Sequence, residues 1–569
     1  MSNIVIRTRL ASIAALALAV AGFACATTPR NQYARPISGT YPPRNLASLH
    51  PQTRAERSNF TETSTYADVM AFIDSLRGIS PTLHVTRLGQ SSKGKEIPML
   101  ILSRPAVRTA AEAKATHRPI VYLQGNIHGG EVEGKEALLS LLRDLSADRG
   151  ANVLDSLVII AVPVYNIDGN DSLGPQERNR GAQNGPALIG LRPNGQGYDL
   201  NRDYIKAEAP ETRAALEMFR TWDPDIFVDL HTTDGSYHGY GLTWAPSLNP
   251  AAIFTGPFTR DTVLPTLRDV LRTRLRVETF PYGNFESQDS VEKGWFTYDH
   301  RPRYGTNYYG LRGRVGILSE AYSHDPFRTR VASTYAFTSA LLSLIAQNTE
   351  EFFERGPDAD RQTTAFMSTS NHSPRIAIRS QLTRRGHVED LIVEILERTG
   401  DTVRTEPGVR RGFRRTGRTR VARVPVFDRF DPVLEQTLPF AWVIPAEQES
   451  ILGKLRANGI FVERVTEPTP MRVERFIIDS VLKAPNAFQG HQEVRLTGRW
   501  AADTMTVTAG TYIVRTNQHL AILALYLLEP QSDDGLVTWN FMDAWLRAGA
   551  PYPILRVTER ITAALAPSR

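Results

Sequence analysis

Four short, mostly apolar runs stand out along the chain, at residues 120–123, 157–164, 226–230 and 315–318, the third interrupted only by Asp229. Near-continuous apolar runs of this length, rather than alternating ones, suit strands buried on both faces of an α/β sheet. The first run passes through a glycine-bearing loop into a helix that starts near Glu131 and carries Leu138, Leu141, Leu142 and Leu145 on one side. Residues 88–97 read as a turn between two strands, the second continuing to residue 102. Later runs at 375–378, 440–444, 493–497, 505–508 and 512–515 predict further strands, with one helix inside 445–459. The expected fold is therefore α/β: a mixed, mostly parallel sheet flanked by helices over 57–350, plus a β-rich domain over 374–569. A chain of 569 residues is also too long for one ordinary core.

Two aperiodic stretches divide this pattern. Residues 26–56 are rich in Pro, Thr, Asn and Arg and read as a tether, and residues 351–373, with Gly356-Pro357, read as a linker. Before the tether, Arg7 and Arg9 precede an apolar run at 10–24 and the small residues Ala24, Cys25 and Ala26. This is the layout of a secretory signal over 1–25, too short and too early for a spanning helix. The expected location is the periplasm, free or membrane-anchored. Cys25 is the only cysteine, and its position resembles the lipid-attachment cysteine of bacterial lipoproteins. Gly22 stands where an aliphatic residue is expected in that pattern, so cleavage after Ala26 without lipid remains open. Neither route leaves a disulfide in the mature chain.

Composition narrows the function classes. Hydrophobic residues at 41% and charged residues at 22% describe a soluble globular protein. A net charge of +6 is a weak argument for nucleic acid. Eight arginines lie between Arg404 and Arg423 without a series of stacking aromatics, which speaks against single-strand binding. They suit a solvated hairpin, or contact with an anionic envelope polymer or lipid head groups.

Chemically capable residues follow the apolar runs directly: His128, Asn166, His231 and Glu320. In open α/β sheets sites gather at such strand ends. His128-Gly129-Gly130-Glu131 is the only His-x-x-Glu pair in the chain. Two donors three residues apart, with a third from a distant strand end such as His231, can hold a catalytic zinc and leave one position open. Taken singly, each histidine also fits an ordinary hydrogen-bonded turn.

The series of motifs resembles the zinc carboxypeptidase family of metallopeptidases over about residues 60–345. The segments that carry the likeness are His128-Gly-Gly-Glu131, Asn166-Ile-Asp-Gly169, Arg192 followed by Asp199-Leu-Asn201-Arg202, Asp229-Leu-His231, and Gly316-Ile-Leu-Ser-Glu320. The resemblance implies one Zn2+ per chain on His128, Glu131 and His231, with Glu320 as general base. It further implies that Arg192 stabilises an oxyanion, that Asn201 and Arg202 bind the free carboxylate of a peptide, and that Asp199 orients His128. A site tyrosine is expected before the catalytic glutamate. Tyr298, Tyr304, Tyr308 and Tyr309 compete for it, and Tyr308 is preferred. Two other readings fit parts of the pattern: an aspartoacylase- or desuccinylase-like amidohydrolase, and an inactive protein that binds peptide termini.

Overall fold

The computed structural model describes residues 41–43, 45–148, 150–366, 374–400 and 407–568. Cys25, the expected signal and most of the tether lie outside the described residues. The central sheet is built from β1 (Leu83–Gln90), β2 (Glu96–Leu102), β3 (Ile120–Gly125), β4 (Val158–Val162), β5 (Ile226–Thr232), β6 (Leu242–Pro246), β7 (Thr279–Pro281) and β8 (Val315–Ala321). Their spatial order is β1-β2-β4-β3-β5-β8-β6-β7. The inner run β4-β3-β5-β8 is parallel throughout, and β1, β2 and β6 join it antiparallel. Every residue of β3, β4, β5, β6 and β8 is buried, which is why β3, β4, β5 and β8 appear in the sequence as mostly apolar runs.

Helices α1 (Tyr66–Ile79), α2 (Glu133–Ala147), α3 (Pro210–Trp222), α4 (Gly305–Leu311) and α5 (Phe327–Gln347) pack around the sheet. Thr65 and Asp68 start α1 with a reciprocal capping pair. Next comes α6 (Thr349–Ala365), so most of the stretch expected as a linker is helical, with Pro357 inside it. Its polar composition concealed the helix. Buried Arg314 holds it by donating to the Gly356 carbonyl and both Asp360 oxygens. The described end of the expected tether is likewise fastened: Arg143 donates to both oxygens of buried Glu56, and the Tyr41 ring stacks on Tyr335.

Beyond residue 374 the β-rich region expected from the sequence is present. The strands β9 (Ile376–Arg398) and β10 (Phe413–Gln436) form a long hairpin. A seven-stranded sheet follows, with β11 (Ala441–Ile444) and β12 (Thr469–Lys483) among its members, together with the helices α7 (Glu449–Ala457) and α8 (Ala521–Leu528). The separate runs at 493–497 and 505–508 are two ends of one strand, Val494–Val507, whose middle alternates polar side chains into solvent. The two halves share structure. Trp295 and Phe296 pair in parallel with Val426 and Phe427 of β10, and one apolar core runs from α1 through the sheet to Trp442 and α8.

The hairpin rests against a buried histidine. Among the described residues His238 Nδ1 accepts from the Tyr240 amide, Nε2 has no partner, and the backbone bridges to Val393 of β9. Burial, with the charges of His324 and Arg415 against it, pushes His238 down to about 3. A folded value below the unfolded 6.5 means that the unfolded chain takes the proton first, so stability is lost as pH falls below 6.5. This residue alone is expected to cost about 2 kcal/mol at about pH 5. Unfolding free energies of wild type and His238→Asn between about pH 8 and pH 5 check this; parallel pH profiles would refute it.

Candidate metal centre

The loop after β3 is held by Asn126, whose left-handed backbone turns the chain and whose amide donates to the carbonyls of His128, Gly129 and Glu131. The glycine pair has a steric cause. A Cβ on Gly129 would lie 2.3 Å from the backbone of Gly169, and one on Gly130 would lie 3.0 Å from the Gly190 carbonyl. The Asn166 turn packs here backbone to backbone. Its side chain bridges the Ile127 and Arg192 carbonyls, which brings the later arginine loop beside the metal loop. Asp168 of the same turn faces away and anchors the β1–β2 turn through Ser91, Ser92 and Lys93.

His128, Glu131 and His231 converge, each buried, with one donor atom apiece all within 4.8 Å of one another. His128 Nδ1 lies 2.9 Å from Glu131 Oε1, and His231 Nδ1 lies 3.0 Å from Glu131 Oε2. The far nitrogens are set against carboxylates: His128 Nε2 is 3.1 Å from Asp199, and His231 Nε2 is 2.9 Å from Asp229, though too far out of line for a hydrogen bond. On that tautomer both rings aim a lone pair at a carboxylate oxygen, so acceptor faces acceptor unless a cation lies between them. The charges agree. Glu131, Asp199, Asp229 and Asp234 face Arg180, Arg192 and Arg202, a negative balance that a cation between the donors would offset. Two imidazoles and one carboxylate are a zinc donor set. The residues fit the ion.

Glu320 sits on β8 in register with His231 on β5, so the two side chains share a face of the sheet. Among the described residues its Oε2 is buried without a partner. Burial pushes its carboxyl well above the ordinary value; His231 opposes this, and the charges of Glu131 and Asp234 add to it.

Arg192 donates from Nε to Asp199 at 2.8 Å and is the most exposed of the three guanidinium groups. The Asn201 oxygen accepts from the Gly305 amide at 2.9 Å. The Arg202 guanidinium lies 4.0 Å from the centre of the Tyr304 ring and donates to the Asn201 carbonyl. The segment 192–202 therefore stands beside the metal loop, with Asp199 as its joint.

Tyr308 is a correction. It is wholly enclosed among aromatic rings that include Tyr204, and its hydroxyl donates to Asn458 of the C-terminal region, so it cannot touch a substrate. Helix α4 turns this residue into the core. Tyr298, named beside it, lies with Tyr282 near Glu320, whose charge adds to burial in pushing both phenols up. Sequence reasoning missed Tyr282, Arg180 and Gln489, and quoted Asp229 only as part of the His231 segment. Gln489, from the C-terminal region, accepts from the Asp199 amide at 3.1 Å across 290 residues, and no local signal announces it.

Residues 69–247 match the family model described as zinc carboxypeptidase, which places this segment, with all three donors, in that family. Carboxypeptidase 2 of Trichophyton tonsurans is 24% identical over 82% of this chain and 81% of its own length. Carboxypeptidase D of Anas platyrhynchos is 30% identical, over 26% of this chain and 11% of its own. Among solved structures, a metallo-carboxypeptidase from Burkholderia cenocepacia aligns at 16% identity and TM-score 0.37, covering 50% of this chain and 70% of that one. The enzyme class that goes with the family match is zinc metallopeptidase, as the sequence motifs anticipate.

Proposed function

We propose, from the place of residues 69–247 among the zinc carboxypeptidases, that this chain is an exported enzyme that removes C-terminal residues from peptides. The observation that carries the reading is the unpartnered Glu320 oxygen beside three converging metal donors. Zinc, when bound, would supply a Lewis acid and a water acidic enough to attack near neutral pH. Glu320 takes a proton at Oε2 and later returns it to the leaving amine; its raised affinity for protons suits both halves of that task. Arg192, half-buried and held among the described residues through Nε and one weaker contact, turns its remaining donors to the oxyanion.

With the Asn201 oxygen held by Gly305, its amide nitrogen is left to donate. Arg202, placed over the Tyr304 ring, offers a fork matched to a carboxylate. Asp199 keeps His128 oriented. Export, with or without lipid on Cys25, rests on the composition of residues 1–26.

Zinc-loaded protein is expected to shorten peptides with a free C-terminus, to spare the same peptides amidated, and to lose activity on chelation and regain it with zinc. Mass spectrometry of the products decides. Cleavage of N-acyl amino acids alone would favour the amidohydrolase reading, and no cleavage with zinc bound would favour the inactive binder. Cell fractionation with the intact mass of the mature chain tests export.

A further inference from the structure

Arg180 has no counterpart among the motifs above, yet its side chain is nearly enclosed and its guanidinium makes four contacts around the metal donors. Nη1 donates to Glu131 Oε1 at 2.8 Å. Nη2 donates to the Thr232 carbonyl at 2.5 Å and the Thr233 carbonyl at 2.7 Å, and reaches Asp234 at 3.1 Å. Those carbonyls belong to the two residues directly after His231. One rigid fork thus joins a donor from the loop after β3 to the turn that carries a donor at the end of β5, a span of about 100 residues in sequence.

The backbone of Arg180 is itself fixed. Its amide donates to the Gln176 carbonyl at 2.7 Å, and the Gln176 side chain donates back to the Arg180 carbonyl. Arg192 lies 3.5 Å from the same Glu131 oxygen but is far more exposed, with 38% of its side chain accessible against 12% for Arg180. One guanidinium is enclosed and the other is partly open to solvent.

We propose that Arg180 is a positioning residue for the metal site: it clamps the Glu131 carboxylate to the 232–234 turn, so that Glu131 and His231 face one ion before it arrives. This rests on the metallopeptidase reading. The clamp also leaves Arg192 able to swing to substrate without releasing Glu131. A lysine here keeps the charge but has a single ammonium, which reaches the carboxylate or the carbonyls, not both.

The test is zinc affinity, measured by competition with a chromophoric chelator on the full chain, for wild type, Arg180→Met, Arg180→Lys and Arg192→Met. Removing a group that orients a metal ligand typically costs about 10–100-fold in affinity. Arg180→Met is expected in that range and Arg180→Lys between it and wild type. Arg192→Met is expected within about twofold of wild type, on the same scale. With zinc saturating, Arg180→Met should keep its peptide KM within about twofold, because the residue acts on the metal ligands and not on substrate.

Zinc binding by Arg180→Met as tight as wild type overturns the proposal. So does a raised KM with zinc affinity unchanged, which would make Arg180 a substrate residue. If Arg180→Met fails to fold, Arg180→Lys is judged by the same two criteria. Failure of wild type to take up zinc would sink the functional reading instead, so the two failures are distinguishable.

Discussion

Glu320→Gln is expected to retain one zinc per chain and to lose about 10²–10⁴-fold in turnover, the usual worth of a general base. Glu320 is not among the three converging donors, so the ion should stay. Glutamine matches it in size, and because among the described residues Oε2 has no partner to lose, folding should be untouched. Metal analysis beside steady-state kinetics on a peptide separates the outcomes. Activity within about tenfold of wild type, below the range for a lost base, would remove Glu320 from the chemistry. Loss of the ion together with activity would make it a ligand.

The second large effect is expected in stability, at the seam between the two halves. Asp534 is fully buried and accepts from the Arg303 amide and guanidinium and from the Trp539 indole. Arg303, from the segment leading into α4, is itself 2% exposed and also donates to Glu493. Asp534→Ala strands a buried guanidinium and should cost about 3–5 kcal/mol in denaturant unfolding. Truncation after residue 366 goes further, because it removes α8, all eight of whose residues are buried, from a core it shares with the catalytic sheet. That shortened chain is expected to be insoluble or unfolded. A truncated protein with a cooperative transition, or an Asp534→Ala change below about 1 kcal/mol, would show the C-terminal region to be a passenger.

The motifs legible in the sequence are those whose partners are near in the chain or whose strands are buried. The strand–loop–helix around His128 can be read because β3 is apolar on both faces and the loop needs its two glycines against Gly169 and Gly190. Glu320 and His231 could be named because each ends such a strand. The tyrosine was misjudged because proximity to Glu320 in sequence does not say which way a helix faces. Tyr308 points into the core, while Tyr298, ten residues earlier, borders the site. Helix α6 was missed because the partner that supports it, Arg314, lies outside its own sequence.

What the sequence by itself determined is the central sheet, since apolar run length is written along one chain; the resemblance of its motifs to the zinc carboxypeptidases is what singled out His128, Glu131, His231 and Glu320. Which groups hold those donors in place was decided by tertiary structure alone. Arg180 reaches Thr232 and Thr233, and Gln489 reaches Asp199, only because distant segments are packed together. Hydrogen-bond geometry is a property of positions in space, and at these separations nothing along the chain encodes it except the fold as a whole.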